Sequence, residues 1–181
     1  MSIDNAIKGR FVIAESVSIG EYSEIHDFAV IKRTNIGSHT KIWNHVNIYD
    51  STIGDDNTIA SFVEIGGAKI GSHNKIEAGA YIPKGVTIGD RCFIGPAAKF
   101  ANDKYPKNVG DNWEWTVGEI KVGNNVSIGL GAIILPNVTI GDHTFIAAGS
   151  LVASDVPPHS FAMGHPAHIV SMQTMKELGI L

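Results

Sequence analysis

Four consecutive polar side chains, Asn102 to Tyr105, are the residues of this sequence whose types could best support a reaction. It offers in order an amide, a carboxylate, an ammonium group and a phenol. The amide of Asn102 can hold a polar group through its carbonyl oxygen, but it cannot act as a strong base. Histidine has an unperturbed pKa that suits a general base, and His45 is the candidate for that role. The sequence thus presents one positioning residue, Asn102, and one rival base, His45.

The four polar residues open a long insertion in an otherwise periodic chain. Elsewhere an aliphatic residue returns every six positions, whereas the step from Phe100 to Val122 takes 122 − 100 = 22 residues. A long loop that leaves a rigid repeat is usually functional or disordered. Because disordered segments are poor in aromatic residues, Trp113 and Trp115 argue against disorder. We expect the insertion, residues 101–121, to be the functional centre, with its tryptophans as a lid or wall.

The periodic part of the chain predicts a solenoid with three short sides. Its aliphatic residues fall in threes, such as Ile36, Ile42 and Ile48, and the threes start 17 or 18 residues apart, as in 53 − 36 = 17 and 88 − 70 = 18. A strand too short to bury its own apolar face must stack on the turns above and below it. The predicted fold class is therefore all-β, a triangular parallel β-helix that gains about 4.8 Å per turn.

The register of the repeats places three of the eight histidines on one corner. His39, His73 and His143 each lie three residues after the first aliphatic residue of their turn, where other turns carry charged or amide side chains. Zinc needs ligands that converge at about 2 Å, and this register spreads the histidines along a solvated edge. We expect no metal site.

Another corner of the predicted solenoid changes from bulky to small side chains halfway along the chain. The residues three positions after each middle aliphatic residue are bulky at first and small later: Phe28, His45, Phe62, Gly79, Ala97, Gly131 and Gly149. The small residues predict a groove in which an extended ligand lies close to the backbone. His45 lies three turns before the turn that carries the insertion, about 14 Å at the spacing of paired strands.

Composition limits the partners and the compartment. The net charge of −4 provides no basic field for nucleic acid, and no apolar run reaches the roughly 18 residues of a membrane span. Residues 1–8 lack the apolar stretch of a signal peptide, so a cytoplasmic location is expected. The single cysteine, Cys92, permits no internal disulfide and is predicted to be a small core residue.

The regular repeat ends near Asp155. We assign residues 1–160 to the β-helix domain and residues 161–181 to a tail. Ile169, Met172, Met175 and Leu178 recur at a helical spacing of three, which predicts a short helix that covers the open end of the solenoid.

Five stretches resemble the hexapeptide-repeat acyltransferases. Residues 42–49 (IWNHVNIY), 62–65 (FVEI) and 100–106 (FANDKYP) look like the branch that N-acetylates nucleotide-linked amino sugars. Residues 129–136 (GLGAIILP) and 164–167 (GHPA) are similar to segments that line the coenzyme A site across the superfamily. The resemblance implies a left-handed β-helix, a homotrimer and acetyl-CoA as co-substrate.

The resemblance implies that the protein transfers an acetyl group to the amine of a dTDP- or UDP-linked amino sugar, in surface polysaccharide biosynthesis. Asn102 would hold the amine, with His45 as the rival general base. Sugar or nucleotide contacts would come from Asn47, Tyr49, Glu64, Asp103, Lys104 and Tyr105. Coenzyme contacts would come from Gly131, Ala132, Ala148, Gly149 and Pro166.

Two alternatives stay open. The first is an O-acetyltransferase that acts on a sugar or serine hydroxyl, for which a strong base is needed. The second is a metal-binding trimer similar to the γ-class carbonic anhydrases.

Overall fold

The chain winds into a parallel β-solenoid of triangular cross-section, seen in a computed structural model that describes residues 6, 8–106, 116–177 and 179. The first face comprises β1 (Ile13–Glu15), β4 (Val30–Lys32), β7 (Asn47–Tyr49), β10 (Glu64–Gly66), β13 (Tyr81–Ile82), β16 (Lys99–Phe100), β19 (Ile133–Ile134) and β22 (Leu151–Val152). The second face comprises β2 (Ser18–Ile19), β5 (Asn35–Ile36), β8 (Thr52–Ile53), β11 (Lys69–Ile70), β14 (Val86–Ile88), β17 (Ile120–Val122) and β20 (Thr139–Ile140). The third face comprises β3 (Glu24–Ile25), β6 (Lys41–Ile42), β9 (Thr58–Ile59), β12 (Lys75–Ile76), β15 (Phe93–Ile94), β18 (Ser127–Ile128), β21 (Phe145–Ile146), β23 (Phe161–Gly164) and β24 (Ala167–Val170).

The core is a stack of isoleucines. The repeating aliphatic residues point inward and are almost fully shielded, as shown by Ile48, Ile65 and Ile82 of the first face, which lie in register on successive strands. Cys92 is also buried, and burial raises the pKa of its thiol. Each turn therefore buries its apolar side chains only against its neighbours, as the repeat predicts.

Three corners connect the faces. We call the corner from the first to the second face the first corner, that from the second to the third face the second corner, and that from the third to the first face the third corner. The second corner carries His39, His73 and His143, each with a positive φ. The third corner carries the predicted column from Phe28 to Gly149, also with positive φ throughout.

Glycines that follow an inward aliphatic residue are required by space. A Cβ at Gly95 would lie 2.7 Å from backbone atoms of Gly129 and Leu130 in the next turn, and Gly95 is not among the residues with positive φ. Gly66 differs, because its Cβ would meet the ring of Tyr49 at 2.4 Å. The absent side chain at Gly66 makes room for that ring.

The insertion leaves the first corner and is shorter than predicted. Among the described residues, strand structure ends at Phe100 and resumes at Ile120, so 120–121 are strand residues and not part of the loop. The backbone N–H of Gly118 donates to the carbonyl of Asn102 at 2.8 Å and closes the neck of the loop. Trp113 and Trp115 lie outside the described residues.

The C-terminal segment pairs with the solenoid before it turns helical. β23 continues the third face in parallel with β21, and β24 folds back on β23 as an antiparallel strand. The solenoid thus extends to Gly164, past the predicted boundary at residue 160. Ile169 lies in β24, which corrects its predicted place in a helix, and the helix α1 is confined to Met172–Glu177. Ser171 caps α1 through its hydroxyl, which accepts from the N–H of Thr174 at 3.1 Å.

Candidate functional site

A pocket of about 440 Å³ opens at the first corner, beside the root of the insertion. We call it the acceptor pocket. It is lined by residues from four successive turns: Tyr49, Asp50, Gly66, Gly67, Tyr81, Pro83, Lys84 and Asn102. Two of these, Tyr49 and Asn102, were predicted from the sequence.

Tyr49 is held in the pocket wall by Glu64. Both side chains project outward from the first face, and the phenol donates to the Glu64 carboxylate at 3.2 Å. Burial raises the pKa of Tyr49, and the charge of Glu64 raises it further. The phenol therefore stays protonated, and its oxygen keeps lone pairs that can accept a hydrogen bond from a ligand.

Asn102 joins the insertion to the turn below. Its side-chain Nδ2 donates to the backbone carbonyl of Lys84 at 2.8 Å. Among the described residues no group donates to its Oδ1, so this oxygen is available to a ligand in the pocket.

Lys84 is the cation of the acceptor pocket. Its side chain is exposed, and no carboxylate of the described residues lies within ion-pair distance. Asp50 is instead paired with Arg33, with a second hydrogen bond at 3.1 Å. The Arg33 guanidinium lowers the pKa of Asp50, and the more distant Lys84 adds to the effect. Among the described residues, the pocket therefore combines an ammonium group that has no ion-pair partner with a carboxylate that Arg33 holds in place.

His45 lies away from this pocket. It occupies the third corner, where its ring stacks between Phe28 at 4.8 Å and Phe62 at 5.2 Å. Phe11 extends the same stack. Within one chain, His45 and Asn102 lie at different corners of the prism, so they do not form a single site there.

The remaining predicted substrate contacts surround the acceptor pocket without lining it. Asn47 lies beside Glu64 on the first face. Asp103 accepts a hydrogen bond from the N–H of Tyr105 at 2.9 Å and so caps a local turn. Lys104 lies over the ring of Tyr105, with Nζ 5.5 Å from its centroid. These loop residues are well placed only for a ligand that extends out of the pocket.

The predicted coenzyme groove is open along the third corner. A Cβ at Gly79, Gly131 or Gly149 would have nothing within 4 Å, which fits a smooth channel. Ala148 and Pro166 are exposed. Ala132 is fully buried, so only its backbone can face a ligand.

Of the six pocket residues that were not predicted from the sequence, three have polar side chains: Asp50, Tyr81 and Lys84. Tyr81 pairs with Glu64 on one side and Lys99 on the other, so it occupies the same outward position as Glu64 one turn later. The repeat register alone could have identified it. Lys84 had no comparable signal, since it follows the inward Ile82 by two positions in a turn that is one residue longer than the turn before it.

No group of three or more His, Cys, Asp or Glu side chains that could hold a metal ion occurs in the described part of the chain. Helices of the described residues are also too short or too polar to cross a membrane.

Comparisons with known proteins agree with this architecture. The family model for the bacterial transferase hexapeptide (six repeats) matches residues 67–102 and 119–154. The chain is 40% identical over 87 residues to galactoside O-acetyltransferase of Escherichia coli strain K12, which covers 47% of this chain and 43% of that enzyme. The chain spans less than half the length of the curated relatives it matches.

Two solved structures are similar over more of the chain. A hexapeptide-repeat acetyltransferase of Vibrio cholerae O1 biovar eltor, complexed with acetyl coenzyme A, has a TM-score of 0.59 and 28% identity and covers 67% of this chain and 70% of that one. A mutant perosamine N-acetyltransferase of Caulobacter crescentus, in complex with CoA and GDP-perosamine, has a TM-score of 0.55 and 27% identity. The similarity covers 85% of this chain and 58% of that one. The solenoid is the left-handed β-helix of these acetyltransferases, as the resemblance implied. By its repeats and its fold, the chain is similar to the hexapeptide-repeat transferases, whose family model matches part of it.

Proposed function

We propose that the protein transfers the acetyl group of acetyl-CoA to the amine of a nucleotide-linked amino sugar. The observation that carries this proposal is the acceptor pocket, where Asn102 Oδ1 and Tyr49 Oη offer hydrogen-bond acceptors beside the ammonium group of Lys84. Hydrogen-bond acceptors can bind the N–H groups of an amine, and the Lys84 ammonium can bind the phosphate of a phosphorylated substrate. The Caulobacter relative, which carries CoA and GDP-perosamine in its structure, supports the same substrate class.

The chemistry requires positioning more than activation. The neutral amine attacks the thioester carbonyl carbon, a C–N bond forms, the C–S bond breaks, and the proton released from nitrogen passes to the thiolate or to water. A thioester is already activated, so the protein chiefly has to hold the amine in line and stabilise the oxyanion with donors such as backbone N–H groups. Asn102 would hold the amine, and Glu64 would fix the orientation of Tyr49.

The two halves of the proposed site lie at different corners of one chain. The acceptor pocket is at the first corner and the coenzyme groove at the third. A closed ring of three chains brings unlike surfaces of neighbours together, so that the groove of one chain can face the pocket of the next. The proposal therefore requires a homotrimer. Trp43 directly follows β6 of the third face, is 40% exposed and is expected near the contact.

We expect the protein to sediment as a trimer of about three times the chain mass of 19.3 kDa. Sedimentation velocity at micromolar concentration measures this directly. A stable monomer at that concentration that still acetylates sugar nucleotides would contradict the shared site.

A large side chain in the groove should impair coenzyme binding selectively. Gly131 has φ +65 and open space around it, and Phe62 holds the same corner conformation with φ 62, so Gly131→Phe is compatible with the backbone. We expect at least a tenfold higher KM for acetyl-CoA, about 1.4 kcal/mol, with little change in the KM for the acceptor. Steady-state kinetics with each substrate varied in turn measures both.

The matched control is Asn125→Phe, in the same turn at the second corner, where φ is 55. It should leave both KM values near wild type. Equal changes for both substrates in a folded Gly131→Phe protein would argue against the groove.

The relative from Escherichia coli favours one second candidate, O-acetylation of a sugar hydroxyl. A hydroxyl must be deprotonated as it attacks, so this reaction needs a strong base. His45 at the third corner is the histidine predicted for that role, and in a trimer it would have to come from a neighbouring chain. Activity on alcohols that is retained when amines fail would favour this function.

A thermal-shift screen tests the proposed function. A ligand that binds only the folded state raises the apparent melting temperature. Acetyl-CoA is screened together with UDP-, dTDP- and GDP-linked amino sugars and with the matching hydroxyl sugars, and each stabilising pair is then assayed for acetyl transfer. Transfer only to hydroxyl sugars would contradict N-acetylation.

A further inference from the structure

A second pocket of about 320 Å³ lies on the second face and adjoins the acceptor pocket. Lys69, Thr87, Lys121 and Glu119 line it, and Gly67 belongs to both pockets. The two pockets therefore meet at Gly67 on the first corner. We call the second one the lysine pocket.

The solenoid register makes the lysine pocket cationic. Lys69 pairs with Thr87, and Thr87 pairs with Lys121, on three successive strands of the second face. Two ammonium groups thus flank one hydroxyl in a straight column about 10 Å long at the spacing of paired strands. Lys69 has no ion-pair partner among the described residues, whereas Glu119 lies 3.2 Å from Lys121. All four side chains are exposed to solvent.

The corner residue between the pockets, Gly67, has no side chain of its own, and the stem of Lys84 lies close against it. Gly67 has φ +66, and a Cβ there would lie 3.0 Å from Cβ of Lys84. Arg33 and Asp50 fill the same corner in the two preceding turns. A ligand that crosses at Gly67 would pass between Lys84 of the acceptor pocket and Lys69 of the lysine pocket.

We propose that the lysine pocket binds the diphosphate of a nucleoside diphosphate, with the linked sugar in the acceptor pocket and the nucleoside on the second face. This rests on the proposed function and assigns an orientation to its substrate. Lysine binds phosphate as a point charge, and the Thr87 hydroxyl supplies a neutral donor. The Lys121–Glu119 pair reduces the positive charge, so Glu119 weakens the site.

The test uses three single variants of the full chain. Lys69→Gln and Lys121→Gln should each raise the KM for the amino-sugar nucleotide and the Kd for the product nucleoside diphosphate about tenfold, with kcat nearly unchanged. Glu119→Gln should lower both constants, because it removes the carboxylate that competes with the phosphate. Calorimetry with UDP, dTDP and GDP gives the Kd, and the effect of both lysines should shrink as salt is raised.

Lys41→Gln is the matched control. Lys41 is a lysine on the third face that pairs with Glu24 at 3.1 Å, and its loss should change neither constant. Suppose that the wild type acetylates an amino-sugar nucleotide but all three variants keep the wild-type KM and Kd. The proposal that the lysine pocket binds the diphosphate is then wrong, and the proposed function stands. If no amino-sugar nucleotide is acetylated and none of the three diphosphates binds, the lysine-pocket proposal and the proposed function are both wrong. Tight binding of UDP, dTDP or GDP that depends on Lys69, without acetyl transfer, would support the pocket alone.

Discussion

Replacing Asn102 by Ala should lower kcat/KM for the acceptor amine by one to three orders of magnitude. Such a loss corresponds to about 1.4 to 4 kcal/mol of transition-state stabilisation. The variant loses the Oδ1 proposed to hold the amine and the Nδ2 hydrogen bond to Lys84. Because neither atom lies in the coenzyme groove, the Kd for CoA should stay near wild type. Steady-state kinetics and CoA titration measure the two effects separately.

Two further variants separate positioning from scaffolding. Asn102→Asp keeps the shape and the acceptor oxygen but replaces the Nδ2 donor to Lys84 with a second oxygen. Because a carboxylate also favours the protonated, non-nucleophilic ammonium, kcat/KM should fall. The loss should be partly relieved at high pH, where the amine deprotonates. Asn125→Ala removes an asparagine at another corner and should have wild-type kinetics. If Asn102→Ala keeps wild-type kinetics from pH 6 to 9, the residue only anchors the loop and His45 becomes the better candidate.

The solenoid was predictable because the same inward aliphatic residues recur in every turn and stack only on the neighbouring turns. A side chain such as Ile65 points inward for the same reason as Ile48, and a step of 17 residues leaves one way to stack them. The corner conformations follow from the same register, which is why the open positions at Gly131 and Gly149 could be located before the structure was known.

The acceptor pocket was predicted only in part, because it depends on contacts between turns. Nothing in the sequence indicates that Asn102 donates to a carbonyl 18 residues earlier. The ring of Tyr49 enters the wall only because Gly66 in the next turn leaves space for it. The predicted helix failed at Ile169 for a related reason, since pairing of β24 with β23 satisfies the backbone there and outweighs a helical spacing of apolar residues.

Substituting Gly95 by Ala should be among the most destabilising single changes in the chain. The added Cβ would lie 2.7 Å from three backbone atoms of the next turn, which belong to Ile128, Gly129 and Leu130. Backbone atoms cannot rotate away as a flexible side chain can, so relief requires separation of β15 from β18. Overpacking of this kind costs about 1–3 kcal/mol and occasionally more, and we expect about 3 kcal/mol or more here.

Gly79→Ala is the control that distinguishes lack of space from backbone strain. Nothing lies within 4 Å of its added Cβ, and its φ of +71 is close to the φ of 55 that Ala97 adopts one turn later. Only the left-handed conformation then opposes the alanine, at a cost of about 1 kcal/mol. Urea unfolding followed by circular dichroism should place the midpoint of Gly95→Ala well below that of Gly79→Ala. Equal midpoints would mean that the turns slide apart easily, and then close stacking of backbone on backbone would not be what fixes the spacing of this solenoid.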